Sequence, residues 1–276
     1  MQATIAFIGA GNMASAIIGG LIHNGLAASH IRAADPYQPS LDKLAESYGI
    51  HTSQDNNQII SGADIVVLAV KPQQMHAVCA NIQASLQQHQ PLIISIAAGI
   101  TCGMLEQWIA SNAAIVRCMP NTPALVQTGA TGLFANARVS DEQKQQADQL
   151  LQAIGIVNWV ASETQLDAVT ALSGSGPAYF FLVMEAMQAA GEALGLDAET
   201  AKSLTLQTAL GAAKMATESD VDAAELRRRV TSPGGTTAAA LAVFENAGLR
   251  QLFQQALTAA DERSKTLATE MLGESS

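Results

Sequence analysis

The chain has 276 residues, 49% of them hydrophobic and only 14% charged, with a formal net charge of −10. That length exceeds a typical single domain and implies two, and the acidic balance argues against nucleic acid as a partner. Every apolar run is broken before it reaches the length of a membrane span, and the N-terminus opens on the strand-like TIAFIG without a basic segment and cleavage site, so a cytoplasmic protein with no membrane partner is expected.

In chain order, Thr4–Ile8, Ile31–Ala34, Asp64–Val70, Pro91–Ile96 and Ala114–Met119 read as strands, with helical patterns between most of them. This alternation predicts βαβ units and a parallel sheet covered on both faces. Val66-Val67-Leu68-Ala69-Val70 is apolar throughout, as a strand buried on both sides should be. Cys79, Cys102 and Cys118 make no CxxC pair and no ligand-like spacing, so they are expected to be small core residues, with no metal site. Gly129–Ala135 and Ile156–Val160 are further strand candidates that bracket a polar helix over 141–153.

Beyond Glu163 the texture changes to Ala, Leu, Gln and Glu. Helices are predicted over Pro177–Leu194, Ala198–Ala216, Asp222–Val230, Thr236–Asn246 and Leu249–Glu270, with Gly195 ending the first, Asp197 capping the second and Gly248 separating the last two. The basic run Arg227-Arg228-Arg229 lies inside one of them and reads as a solvated or subunit-pairing face. Leu204, Leu206, Leu210 and Met215 share a segment with Ala201, Ala209, Ala212 and Ala213, which makes that helix apolar on more than one face. Such a surface predicts an obligate dimer built through this half. The fold class expected is α/β: a parallel-sheet domain over residues 1–162, then an all-α dimerisation domain over 163–276.

Gly9-Ala10-Gly11-Asn12-Met13-Ala14 is a GxGxxA fingerprint that follows the first strand and opens a helix, the context that Rossmann-type dinucleotide binding requires. Gly9 permits the tight turn, Gly11 lets backbone approach a pyrophosphate, and the amides of Asn12 and Met13 lie at the positive end of the helix dipole. Asp35 ends the second strand, where an acid bonds the ribose hydroxyls of NAD and repels a 2′-phosphate; followed by Pro36, it is equally a turn former. Asn56, in the cluster Gln54-Asp55-Asn56-Asn57, is a candidate for the adenosine end. Ala69, Val70, Lys71 and Pro72 close the fourth strand at the sheet's carboxyl edge, and Ala97 follows the next strand. The cofactor expected is NADPH or NADH.

These residues carry a resemblance. Gly9–Met13, Ala69–Pro72, Ser95–Gly99, Arg117–Pro123, Ser173–Tyr179 and Thr231–Thr237 resemble, in order and over nearly the whole chain, the motifs of the pyrroline-5-carboxylate reductase family. The resemblance implies reduction of 1-pyrroline-5-carboxylate to L-proline with NADPH or NADH, the last step of proline biosynthesis. It also implies a helical domain that dimerises by interleaving, often assembled into a ring of dimers. By position, Asn56, Ala69 and Lys71 match the family's cofactor contacts, Thr236 and Thr237 its substrate loop, and Glu163 falls near an acidic position close to the substrate. Asp35 stands where the family commonly has serine or threonine.

A small anionic substrate needs donors, and two Gly-rich segments, 173–177 and 232–237, each precede a predicted helix whose amides can hold a carboxylate. Ser175 in the first, and Ser232, Gly234, Gly235, Thr236 and Thr237 in the second, are therefore candidate site residues, with Ser175 and Thr237 as candidate catalytic hydroxyls. Ordinary interhelical turns with a capping hydroxyl are the alternative. All five histidines, His23, His30, His51, His76 and His89, lie in the first half. An alcohol dehydrogenase driven by histidine wants one near its substrate, and the lysine that β-hydroxyacid dehydrogenases carry after a GSG turn is Phe180 here. An imine suits this inventory, because its nitrogen gains a proton from water or a weak donor. The rival readings are a 3-hydroxyacid dehydrogenase, another imine reductase, and a non-catalytic dinucleotide sensor.

Overall fold

Ile5-Ala6-Phe7-Ile8 and Ile65-Val66-Val67-Leu68 are apolar at every position, so they are stable as strands only where both sheet faces are covered. They form β1 (Ile5–Ile8) and β4 (Ile65–Leu68), which pair in parallel at the middle of an eight-stranded sheet. Its other strands are β2 (Ile31–Ala34), β3 (His51–Ser53), β5 (Leu92–Ser95), β6 (Ile115–Met119), β7 (Gly129–Ala135) and β8 (Gly155–Trp159), in the order β3-β2-β1-β4-β5-β6-β7-β8. The computed structural model describes residues 3–274. They form two units, one made of the chain up to Ser175 together with the segment from Ala259 onward, the other of Gly176–Thr258.

The period of two along β1 sorts its side chains between two buried clusters. Ile5 and Phe7 join Ile17, Ile18, Leu41, Leu44 and Leu150 on one face. Ala6 and Ile8 join Met75, Cys79, Ile82 and Leu105 on the other. The helices that contribute to these two clusters are α1 (Asn12–His23), α2 (Gln38–Tyr48), α3 (Asn56–Ile60), α4 (Pro72–His89), α5 (Cys102–Trp108) and α6 (Asp141–Gln152). Burial pushes the Cys79 and Cys102 thiols up to about 12 and raises that of Cys118 as well. All three therefore stay neutral and pack as small apolar groups.

Two features depart from the strands and pairings that the sequence predicts. β7 runs antiparallel to β6, with Arg117 opposite Phe134, and β8 then pairs in parallel with β7. The short segment 120–128 between β6 and β7 cannot make the long crossover that a parallel neighbour needs, whereas α6 carries the chain across from β7 to β8. β3 is a three-residue His-Thr-Ser edge strand paired only with β2. It lacks the apolar run from which the other strands are legible.

Beyond β8 the chain enters α7 (Gln165–Val169), which the sequence pattern does not announce, and then a π-helical turn, Thr170–Gly174. The remaining helices are α8 (Gly176–Ala193), α9 (Ala198–Glu218), α10 (Ala223–Arg229), α11 (Thr236–Asn246) and α12 (Leu249–Glu274). Gly195 and Gly248 hold φ of +99° and +76°, and the side chains of Asp197 and Asp222 accept from the amides of Thr200 and Glu225 as N-caps. Arg228 and Arg229 pair with Glu225, and Arg227 with Glu245, so the basic run is met by acids of its own unit.

The unit Gly176–Thr258 has almost no core of its own. Its buried residues are Gly176, Ala201 and Thr205, while Phe180, Phe181, Leu182, Leu204, Leu210, Val243 and Phe244 are each more than half exposed. Among the described residues, no helix is long and apolar enough to cross a membrane.

α1 crosses the end of α6 at Gly20, where an added Cβ would run into the carbonyl of Ala153. Alanine in a helix interior ordinarily gains about 1 kcal/mol over glycine, but the obstacle is backbone and cannot rotate away, and overpacking costs about 1–3 kcal/mol. Gly20→Ala is therefore expected to lower the melting temperature. Gly103→Ala, whose Cβ meets only the Thr101 hydroxyl at 3.9 Å, should leave it unchanged or raise it. A stabilised Gly20→Ala in thermal denaturation would show that the α1–α6 crossing is looser than described.

Candidate active site

The strand order reverses between β1 and β4, because β1 leads outward to β2 and β3 while β4 leads to β5 and β6. Open α/β sheets bind ligands at the carboxyl edge of such a switch point. Here two sequence motifs meet there. Gly9 has φ +105°, and a Cβ on it would lie 2.6 Å from the Ala69 carbonyl oxygen and 3.1 Å from the Val70 nitrogen. Only glycine satisfies both the left-handed backbone and the contact. Gly11 is the opposite case: it is the N-cap of α1, no side chain bonds the helix start, and a Cβ there would have no atom within 4 Å. Gly11 and Asn12 are exposed, whereas Ala14 is buried where the helix packs on the sheet. The first amides of α1 have no acceptor inside the helix. An open cradle next to free N–H groups and the positive helix end suits a pyrophosphate.

The other candidates of the first unit line the same edge. Lys71, exposed and extended at φ −61° and ψ 144°, precedes Pro72 at the start of α4; the proline favours this extended backbone before it. Ala97 is buried just beyond β5, and its amide donates to the buried Ser95 hydroxyl at 3.5 Å. Asn56 begins α3 after β3, and its Nδ2 donates to Asn81 Oδ1 at 3.5 Å. Asp35 accepts from the Ala10 amide at 2.8 Å and from the Tyr37 amide at 2.9 Å. It forms a turn and at the same time fastens the glycine-rich loop to the end of β2.

Glu163 and Arg117 are brought together from 46 positions apart. Arg117 sits in β6 between apolar neighbours with its side chain 7% exposed, and its Nη1 lies 3.0 Å from Glu163 Oε1. The same oxygen accepts from the Cys102 amide at 2.8 Å, at the first turn of α5. A buried guanidinium needs such a partner, and a carboxylate at a helix start also interacts favourably with the dipole. A charged residue inside the strand pattern IVRCM was the signal for this pair; its partner was not legible. Asn121, also buried, was visible only as a motif letter. Its Nδ2 donates to the Ser173 carbonyl at 3.0 Å and its Oδ1 accepts from Ala130 at 2.9 Å.

The segment 173–177 differs from the expected helix-opening turn. The chain passes through the π turn without leaving helical geometry, and the Ser175 amide donates to the Thr170 carbonyl at 2.8 Å. Ser175 keeps its half-buried hydroxyl, but its amide is already used. A wide turn of this kind is common at functional positions.

In the second unit, Ser232, Gly234, Gly235, Thr236 and Thr237 are adjacent in one loop and helix start. Gly234 holds φ +71°, and the Gly235 amide donates to the Ser232 carbonyl at 3.1 Å. Gly235 is the N-cap of α11, with no capping side chain. Thr236 and Thr237 are thus the first two residues of the helix, both exposed. Neither hydroxyl caps it.

Residues 163–267 match a family model described as pyrroline-5-carboxylate reductase dimerisation, and residues 4–99 match one described as NADP oxidoreductase coenzyme F420-dependent. A pyrroline-5-carboxylate reductase of Pseudomonas aeruginosa is 57% identical over 270 residues, covering 98% of each chain. A solved pyrroline-5-carboxylate reductase from Coxiella burnetii superposes with TM-score 0.94 at 50% identity, over 97% of this chain and 99% of that one. The Plasmodium falciparum pyrroline carboxylate reductase, solved with NADP bound, gives TM-score 0.85 at 32% identity over 97% and 99%.

The two glycines of the turn separate folding from binding. Gly11→Val projects into open space, so it should fold normally yet weaken reduced-dinucleotide binding more than about tenfold by blocking the pyrophosphate's approach. Gly9→Val meets the Ala69 carbonyl and should fail on stability instead. Isothermal titration beside a melting curve measures both; unchanged affinity in a folded Gly11→Val protein would remove the pyrophosphate from this turn.

Proposed function

The chain belongs to the pyrroline-5-carboxylate reductase family, and from that premise we propose how its residues divide the work of the reaction. The enzyme reduces 1-pyrroline-5-carboxylate to L-proline with NADPH or NADH, the last step of proline biosynthesis. The bound cofactor supplies the hydride; everything else falls to the chain. Gly9, Gly11, Asn12 and Met13 hold the pyrophosphate on backbone amides. Asp35 and Asn56 serve the adenosine end, and Ala69, Val70, Lys71, Pro72 and Ala97 serve the nicotinamide half along the carboxyl edge.

One observation carries the substrate side: α11 starts at Gly235 with no capping side chain, leaving its first amides open beside two exposed threonines. Amides at a helix start bind a carboxylate without an arginine. In this reading Ser232, Gly234, Gly235 and Thr236 shape and line that anion site. Thr237 donates a hydrogen bond to the imine nitrogen and orients the C=N bond for attack at carbon; that nitrogen takes its proton from water as it becomes the proline amine. Ser175 is the second hydroxyl assigned to the reaction. Glu163 belongs to the substrate side through its pair with Arg117, which fixes β6 to the start of α5.

Residues 163–267 form a dimerisation segment, and the chain acts as an oligomer. We assign the dinucleotide domain to residues 1–162 and the substrate and dimerisation domain to 163–276, with a cytoplasmic location and further assembly of dimers into a ring. The near-absence of a core in Gly176–Thr258 supports pairing through that face, since exposed apolar patches of this extent mark an interface. Small-angle scattering at micromolar concentration should return at least the mass of a dimer. A monodisperse monomer would overturn the assignment.

The roles are tested by assaying pyrroline-5-carboxylate with both reduced cofactors. Thr237→Ala should lower kcat on the order of 10²-fold, as loss of one positioned donor does, while cofactor affinity stays within about threefold. Thr237→Ser should recover much of the loss. A turnover near that of the unaltered enzyme in Thr237→Ala would take the donor role away from this hydroxyl.

A further inference from the structure

We propose that Asp35 makes this enzyme prefer NADH to NADPH, by placing a carboxylate that cannot move aside where a 2′-phosphate would have to sit. The inference rests on the carboxyl edge being the cofactor site, as assigned above, and adds which of the two cofactors that site selects.

Ile8 of β1 and Ala34 of β2 are register partners, and the Gly9 amide donates to the Ala34 carbonyl at 2.7 Å. The next residue of each strand therefore emerges side by side at the crevice mouth. Asp35 is pinned there by two main-chain donors, Ala10 to Oδ2 at 2.8 Å and Tyr37 to Oδ1 at 2.9 Å. Swinging the carboxylate out would break both bonds. A carboxylate has about four acceptor positions, so two remain for the ribose hydroxyls, whose O–H groups can donate charge-assisted bonds.

The two cofactors differ only in the 2′-phosphate, which brings a charge of about −1.5 to −2 at neutral pH. The two segments joined at this corner supply no cation to meet it. Residues 35–41 and 53–57 include no lysine or arginine but do include a second acid, Asp55. Gln54 Nε2 donates to the Pro36 carbonyl at 3.1 Å, tying the two segments together. Arg32, the cation of β2, has its Nη1 on the Ser61 carbonyl at 2.7 Å. The start of α2 offers little, because Pro39 has no N–H and the Ser40 amide donates to the Tyr37 carbonyl at 3.1 Å. A 2′-hydroxyl thus finds an acceptor where a 2′-phosphate finds the fixed Asp35 carboxylate and, in these two segments, no cation. Like charges brought together in this way cost enough for about tenfold or more in affinity.

The test is a pair of dissociation constants, for NADH and NADPH, measured by fluorescence titration on the full-length protein without substrate. ADP and 2′,5′-ADP serve as competitors that isolate the phosphate. NADH is expected to bind about tenfold or more tighter than NADPH, and ADP to compete correspondingly better than 2′,5′-ADP. Asp35→Asn keeps an acceptor oxygen and should narrow both ratios to within about threefold, mainly by tightening NADPH. A wild-type protein that binds NADPH equally or better overturns the proposal, as does a folded Asp35→Asn protein with unchanged ratios. If Asp35→Asn does not fold, the wild-type ratios decide alone. Failure of both cofactors to bind would instead overturn the cofactor site itself, and the preference with it.

Discussion

Gly9 has no side chain because the Ala69 carbonyl occupies the space where one would be. That contact is the consequence of two four-residue apolar strands, β1 and β4, lying side by side with both faces buried. Once they pair in parallel, the turns that leave them must share one small volume at the carboxyl edge. One turn has to yield, and the chain yields at Gly9. Gly11, two residues on, then faces open space at the start of α1. The crevice is thus what remains when two buried strands release their chains in opposite directions.

A second constraint is electrostatic. Arg117 is carried into the sheet by a strand whose other members are apolar, and a guanidinium left there alone would be strongly destabilising. Glu163 reaches it from beyond β8, and the same carboxylate oxygen takes the Cys102 amide. Three segments distant in sequence are held by one oxygen atom. Asn121 does comparable work on the neighbouring loop, holding Ser173 and Ala130 through the two ends of one amide. The Asn121 bond to the Ser173 carbonyl holds the π turn that precedes Ser175, so the irregular backbone there is fixed by a buried polar side chain.

The helical unit follows a different rule. It is rich in Leu, Phe and Ala, yet in the single chain those residues are mostly exposed. A set of helices with three buried residues cannot offset its own conformational entropy. Its stability is tied to what covers it, in keeping with the dimerisation family to which the segment belongs. The capping aspartates and the glycines at helix ends specify where each helix starts and stops; they do not supply a core.

Period and punctuation were enough to determine much of this molecule. Apolar-rich runs located seven of the eight strands, even where Arg32, Arg117 or Asn158 interrupts the run. Asp197, Gly195 and Gly248 located helix limits, because caps and left-handed turns demand particular residues. GAGNM located the tight turn after β1, because only glycine permits the backbone and the close approach to Ala69 at Gly9. Tertiary structure alone decided the rest. β3 is held by hydrogen bonds to β2 rather than by apolar side chains, so His-Thr-Ser left no pattern. The antiparallel turn at β7 depends on how short a connection can be. Glu163 found Arg117, and Asp35 found Ala10, through folding that juxtaposes residues whose spacing in the chain carries no trace of the contact. Thr237 was indistinguishable from a helix cap until the backbone put the cap at Gly235. Local sequence encodes local conformation and burial; which polar groups end up within three ångströms of one another is settled only when the packed sheet brings them there.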